Sequence, residues 1–241
     1  GDISMADEAA WAAWWQDYRT FMLHYARLAE AEDIEMLCIG TELYRVAVER
    51  EAEWRQLIAD IRVVYGGKLV YAANWYKEVE EVRFWDALDY IGLQAYFPLD
   101  TAERGYSWLP ELSADAGEVP TVAQLKQAWA PHLALVERVQ RQYGKPVLVT
   151  EVGYRSAADA ATKPWEWESA PSAWSAQEEL LLQAHCYEAF FAAFWEQPWF
   201  AGSYIWKWYP DHARAGGTAD RDFTPQNKPA QEVMRRWYAP R

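Results

Sequence analysis

Short, nearly continuous apolar runs alternate with amphipathic stretches along the whole chain, and this alternation predicts an α/β fold whose parallel sheet is built from right-handed βαβ units. Connection lengths narrow the prediction. Helix-to-strand connections are short (Gly66-Gly67, Gly144-Lys145, Gln197-Pro198), whereas strand-to-helix connections are long and rich in Trp, Tyr, Asp and Gly. Such asymmetry is that of a (β/α)8 TIM barrel, which carries its active site at the C-terminal ends of its strands. The alternative, a doubly wound open sheet, is disfavoured because no Gly-rich phosphate loop follows any strand.

Residues 11–29 place Trp11, Trp14, Trp15, Tyr18, Phe21, Met22, Tyr25 and Leu28 at helical spacing, the stripe of an outer helix packed on a sheet. Ile34–Glu42 is a short apolar run ending in a Gly and a carboxylate, as expected of a parallel strand covered on both faces. One helix is predicted from about Val46 to Val64. Further strands are predicted at Lys68–Trp75, Asp89–Phe97, Pro146–Tyr154 and Phe200–Trp208. Helices run through Val122 to Tyr143, through Leu181 to Phe194, and from about Pro225 to Tyr238. The long loops Pro98–Pro120, Gly153–Ser175 and Tyr209–Thr224 carry the aromatic and charged residues expected of functional segments.

Five strands are found where a closed barrel needs eight, and the first element is a helix. The expectation is a single partial barrel domain over residues 1–241, with three strands upstream of Gly1. Its two open sheet edges would then be covered by a second copy or an N-terminal fragment.

Composition restricts the partner. A net charge of -13 repels nucleic acid and anionic membranes, so a neutral ligand fits better. No apolar run approaches the roughly 20 residues of a membrane span. Sixteen Trp and an aromatic content of 16% exceed what a core requires. Flat rings suit the C–H faces of sugars, so about half of these Trp residues are expected in helix interfaces and the remainder facing a ligand. Cys38 and Cys186 read as buried free thiols. His24, His132, His185 and His212 lack ligand spacing, so neither a metal nor any other cofactor is implied.

Two carboxylates end two separate strands, Glu42 in IGTEL and Glu151 in VTEVGY. Glycoside hydrolysis needs such a pair: an acid for the leaving oxygen, and a carboxylate that attacks the anomeric carbon or activates water. A single strand-end Glu reads equally as a cap or a surface charge. Two of them amid aromatics point to a site.

The segments GDISM, CIGTEL, KLVYAANW, DYIGLQAYFPL, VTEVGYRSA, KPWEWE and GSYIWKW resemble glycoside hydrolase family 113 over nearly all of the chain. The resemblance implies a retaining (β/α)8 hydrolase, mainly a β-1,4-mannanase, whose strands four to eight are those present. It casts Glu42 as acid/base and Glu151 as nucleophile. Tyr96 takes the place of a tyrosine that hydrogen-bonds the nucleophile, against the reading of a core tyrosine. Trp206 takes the place of the aromatic floor under the cleaved sugar, against a barrel-core reading. Asn74 and Trp75, ending a strand, are candidates for a sugar hydroxyl and a ring face. Trp108, Trp165 and Trp167, on long loops, are candidate walls of flanking subsites. One departure stands beside Glu42, where the wider clan of retaining (β/α)8 hydrolases that includes this family often has Asn and this chain has Thr41. The expected substrate is a β-1,4-linked mannan or glucomannan; the alternatives are another β-linked glycan or a non-catalytic carbohydrate-binding remnant.

Overall fold

The computed structural model describes residues 1, 3–99, 118–168 and 172–239. Helix α1 (Glu8–Ala31) begins where the Asp7 carboxylate accepts a hydrogen bond from the Ala10 N–H at 2.8 Å, satisfying a donor that the first turn leaves free. There follow β1 (Met36–Thr41), α2 (Tyr44–Glu49), α3 (Glu51–Val64), β2 (Lys68–Asn74), α4 (Glu78–Glu81), β3 (Tyr90–Gln94), α5 (Val122–Tyr143), β4 (Val147–Val152), α6 (Ala176–Phe194), β5 (Phe200–Ile205) and α7 (Pro229–Trp237). The strands of the described residues make one parallel sheet in the order β1-β2-β3-β4-β5. An unbroken sequential order is that of a barrel wall, whereas a doubly wound sheet reverses at a switch point. The fold is therefore of the (β/α)8 type, with the wall formed by successive strands.

The chain divides into two compact units, residues 1–94 with 138–150, and residues 95–137 with 151–241. In the first, β2 buries Leu69 to Ala73 on both faces, which explains its unbroken apolar sequence. Trp54 of α3 is the hub. Fully buried, it meets Trp15 at 5.4 Å, Tyr71 at 5.2 Å and Phe84 at 5.3 Å between ring centroids, and its indole N–H donates to the Val46 carbonyl at 3.1 Å. In the second unit, α6 opens with a capping box in which the Ser175 hydroxyl and the Glu178 carboxylate exchange bonds with each other's backbone N–H. It buries Phe190, Phe191 and Phe194, and Trp129 of α5 packs edge-on to Phe194 at 5.2 Å.

Several elements differ from the prediction, each for a local reason. The single helix expected over Val46–Val64 is broken at Arg50, whose backbone leaves the helical region (φ -125, ψ 45). Its guanidinium instead pairs with Glu8 at 2.6 Å and lies 4.6 Å from the Trp11 ring centroid. The last helix begins at Pro229 rather than near Pro225, because Asn227 takes a positive φ of 57 and the Gln226 side chain is engaged with Tyr209. Cys186 is buried, but Cys38 is exposed. Alternation along β1 is the reason: Ile39 is buried on one face, where the Tyr18 hydroxyl donates to its carbonyl at 2.7 Å, and Cys38 points to the other. Strands also stop short of their predicted ends, since the residues beyond Thr41 and Ile205 leave extended geometry.

Gly40 is demanded by packing. A Cβ there would lie 2.8 Å from both the Trp54 and the Tyr71 ring, two buried groups that cannot swing aside. Gly40→Ala is expected to destabilise the protein by about 1–3 kcal/mol in urea unfolding, the usual cost of overpacking. A neutral result would mean that β1 can shift away from α3.

Candidate active site

Glu42 follows β1 directly, at the position where its ladder with β2 slips. Met36, Leu37 and Cys38 pair with Lys68, Leu69 and Val70, whereas Thr41 pairs with Ala72. An irregularity of this kind turns the strand and re-aims the next side chain. Glu42 completes the turn in the left-handed region (φ 49), a conformation costing a non-glycine residue about 1–2 kcal/mol. Two backbone bonds offset that cost: Glu42 N–H to the Ala72 carbonyl at 2.9 Å, and Leu43 N–H to the Tyr71 hydroxyl at 2.8 Å.

Asn74, the last residue of β2, donates from its side-chain amide to Glu42 Oε1 at 2.7 Å. Its amide is fixed the right way round because Asn74 Oδ1 accepts the Tyr76 N–H at 2.8 Å. Beneath it lies Glu78, fully buried, with one carboxylate oxygen accepting the Tyr71 hydroxyl at 2.5 Å and the other the Asn74 N–H at 2.8 Å. Burial pushes the Glu78 carboxyl above its ordinary range, the bonds from Tyr71 and Asn74 pull it down, and the charge of Glu42 pushes it up. Burial foremost, then Glu78, holds the Tyr71 hydroxyl protonated far above the usual tyrosine range. Trp75 is half-buried and meets Tyr76 at 5.6 Å, while Thr41 is exposed.

In the second unit, Glu151 lies in β4 and accepts a short hydrogen bond from the Tyr96 hydroxyl on Oε1. Its carbonyl accepts the Ala95 N–H at 2.7 Å, which ties the segment after β3 to the nucleophile candidate. Gly153 allows this end of β4 to meet the end of β5: a Cβ there would stand 2.4 Å from the Trp206 carbonyl oxygen, and Trp206 N–H donates to Val152 at 2.8 Å. The Trp206–Lys207 peptide is cis.

Aromatic rings gather at this strand end. Trp206 meets Trp167 edge-on at 6.1 Å, Trp167 meets Phe223 at 5.5 Å, and Phe223 meets Tyr96 at 6.5 Å. Lys207 holds its ammonium 5.3 Å from the Trp167 ring and 5.2 Å from that of Tyr209, and pairs with Asp222 at 2.9 Å. Trp167 is 64% exposed despite these contacts, and Trp165 is half-buried. Lys228, almost wholly buried, donates to Ser156, Asp220 and the Asp222 carbonyl, and so ties the loop after β4 to the loop before α7. Trp108 lies outside the described residues. His132 and His185 are bound to the Pro98 and Pro120 carbonyls at 2.9 and 2.7 Å, at the two ends of that loop.

Glu78, Tyr71, Phe223, Lys207 and Asp222 escape sequence reasoning. Glu78 sits in the run EVEE, which reads as a solvated helix face, and Phe223 and Asp222 have no periodicity that would signal them.

The sequence profile of Glycoside Hydrolase Family 113 matches residues 1–228. Among solved structures, the chain is 31% identical to the family 113 β-mannanase AaManA from Alicyclobacillus acidocaldarius, determined in complex with ManMIm, with a TM-score of 0.76 over 99% of this chain and 68% of that one. A family 113 β-1,4-mannanase determined as a complex is 29% identical over 100% of this chain and 67% of its own, again with a TM-score of 0.76. A further structure of a family 113 β-1,4-mannanase gives 30% identity, the same TM-score and the same coverage. No curated protein matches the chain in sequence. With the family profile spanning nearly the whole chain and the fold matched over its full length, this chain belongs to glycoside hydrolase family 113.

Proposed function

We propose that this glycoside hydrolase cleaves β-1,4-linked mannan or glucomannan with retention of configuration, Glu151 acting as nucleophile and Glu42 as acid/base. The observation that carries the reading is that each carboxylate is held by a donor suited to its task, Glu151 by Tyr96 and Glu42 by Asn74, in a chain 31% identical to a β-mannanase. The Tyr96 hydroxyl favours the charged form of Glu151 and fixes its direction. In the first step a Glu151 oxygen bonds to the anomeric carbon while the bond to the leaving oxygen breaks, and Glu42 gives that oxygen its proton. In the second, Glu42 takes a proton from water, the water oxygen bonds to the anomeric carbon, and Glu151 leaves as carboxylate. Asn74 orients Glu42 for both transfers. Trp206, Trp167, Trp165 and Trp75 supply ring faces for sugar units, with Trp206 under the unit being cleaved.

The test is hydrolysis of β-1,4-mannan followed by proton NMR of the first-formed anomer. Retention of the β configuration is expected, and an α product would replace the nucleophile role of Glu151 by that of a base. Glu151→Ala is expected to abolish turnover on every substrate, while Glu42→Ala keeps activity on aryl glycosides whose leaving groups need no protonation. Equal losses on such substrates would remove the assignment.

Tyr96→Phe removes one bond to a charged group, worth about 1.5–3 kcal/mol. Its kcat is expected to fall about 10- to 100-fold, with an unchanged melting curve. An unchanged kcat would show that Glu151 is oriented by other contacts.

A further inference from the structure

A closed circuit of hydrogen bonds surrounds Glu42. Its carboxylate accepts from Asn74 Nδ2; the Asn74 N–H donates to Glu78; the Tyr71 hydroxyl donates to the other Glu78 oxygen; and the same hydroxyl accepts the N–H of Leu43, the residue after Glu42. Glu42 is thus gripped at its side chain and at its outgoing peptide, and both grips end on one buried carboxylate. We propose that Glu78 is a positioning residue for Glu42, setting the direction of the proton that Glu42 gives to the leaving oxygen; the inference rests on the acid/base reading above.

The donor sense of each bond carries the argument. Tyr71 has one hydroxyl proton, and because its oxygen receives the Leu43 N–H, that proton is free to be directed at Glu78. Asn74 likewise presents an N–H to Glu78. Both contacts require an acceptor, and a carboxylate is the side chain of this length that offers two and no donor. An amide of the same shape would set its NH2 against one of the two donors whichever way it turned.

Burial argues for a purpose. A carboxylate with no exposure is costly to keep, and an apolar side chain would fill the space at less cost unless its two acceptor oxygens were needed. The neighbouring acids behave differently: Glu80 pairs with Arg138 and Glu81 accepts from the Tyr44 hydroxyl at 2.6 Å, at the end of a surface helix. Only Glu78 of this run turns beneath the end of β2, after Lys77 reverses the chain at φ 62.

The experiment compares kcat/KM, which reads the chain of steps through the first bond cleavage, on two substrates: an unactivated β-1,4-manno-oligosaccharide and the corresponding 2,4-dinitrophenyl glycoside. Glu78→Gln is expected to lose about 10- to 100-fold on the first, the scale of a misplaced catalytic group, and less than about 3-fold on the second, which needs no protonation. Tyr71→Phe removes the same circuit at its other bond and is expected to show the same selectivity with a smaller loss; it carries the test alone if Glu78→Gln does not fold. Losses that are equal on the two substrates, or absent from both, overturn the proposal. Glu42→Ala is run beside them. If it shows no preference for the activated substrate, the acid/base reading itself has failed; if it does and the Glu78 variant does not, the fault lies with the positioning role alone.

Discussion

The slip in the ladder between β1 and β2 is the constraint on which the first unit depends. Cys38 pairs in one register and Thr41 in the next, so the strand must gain a residue at Ile39-Gly40. At that point Gly40 is pressed by the Trp54 and Tyr71 rings, which leave no room for a side chain. The strand therefore turns where the aromatic core is tightest, and Glu42 emerges in a left-handed conformation it would not choose alone. Backbone strain is tolerated here because the surroundings over-determine it. Ala72, Tyr71 and Asn74 each hold a different atom of the Glu42–Leu43 segment. Core packing, strand register and carboxylate orientation are one problem solved by one set of residues.

The second unit reaches a comparable result by another route. Its carboxylate lies in β4 itself, and precision comes from close backbone approach, Gly153 against the Trp206 carbonyl, with the Tyr96 hydroxyl fixing the acid from the side. The loops that follow are held from below by Lys228. Its ammonium is buried, which pulls its proton affinity down, and the Asp220 carboxylate offsets this. A buried cation with three acceptors ties two loops together at once.

Elements bearing strong periodicity were legible in the sequence. The apolar runs ending at Glu42 and near Glu151 gave two strands, and the long loops pointed to the end of the sheet at which barrel enzymes in general carry their sites. Family resemblance added Tyr96, and the structure sets its hydroxyl on Glu151. Where tertiary contacts override local pattern, legibility stops. Arg50 breaks a run that is helical by composition, because pairing with Glu8 and resting on Trp11 hold it outside the helix. Glu78 looks like any acid in a charged run until the turn at Lys77 carries it under β2. Asn74 was legible as a strand-end polar residue, but its bond to Glu42 depends on a register slip that no apolar pattern encodes. Cys38 was misread for a related reason, since apolar character along β1 does not tell which face is covered.

The abundance of tryptophan resolves into two physical uses. Trp54, Trp85 and Trp129 are fully buried and act as space-filling hubs: Trp54 meets Tyr71 and Trp129 meets Phe194 edge-on at 5.2 Å, and Trp85 lies tilted against Tyr71 and Phe84 at 6.2 Å. Trp167 is different: most of its surface meets water. Lys207 lies against its ring. Desolvation works against its charge, but bonds to Tyr209 and Asp222 prevail and raise its proton affinity, so the ammonium beside the indole stays charged. A ring held by a fixed cation, Trp206 and Phe223 loses little further freedom when a ligand arrives. On the function proposed above, a neutral sugar face would meet a preordered indole and gain contact area at low entropic cost, without relying on charge.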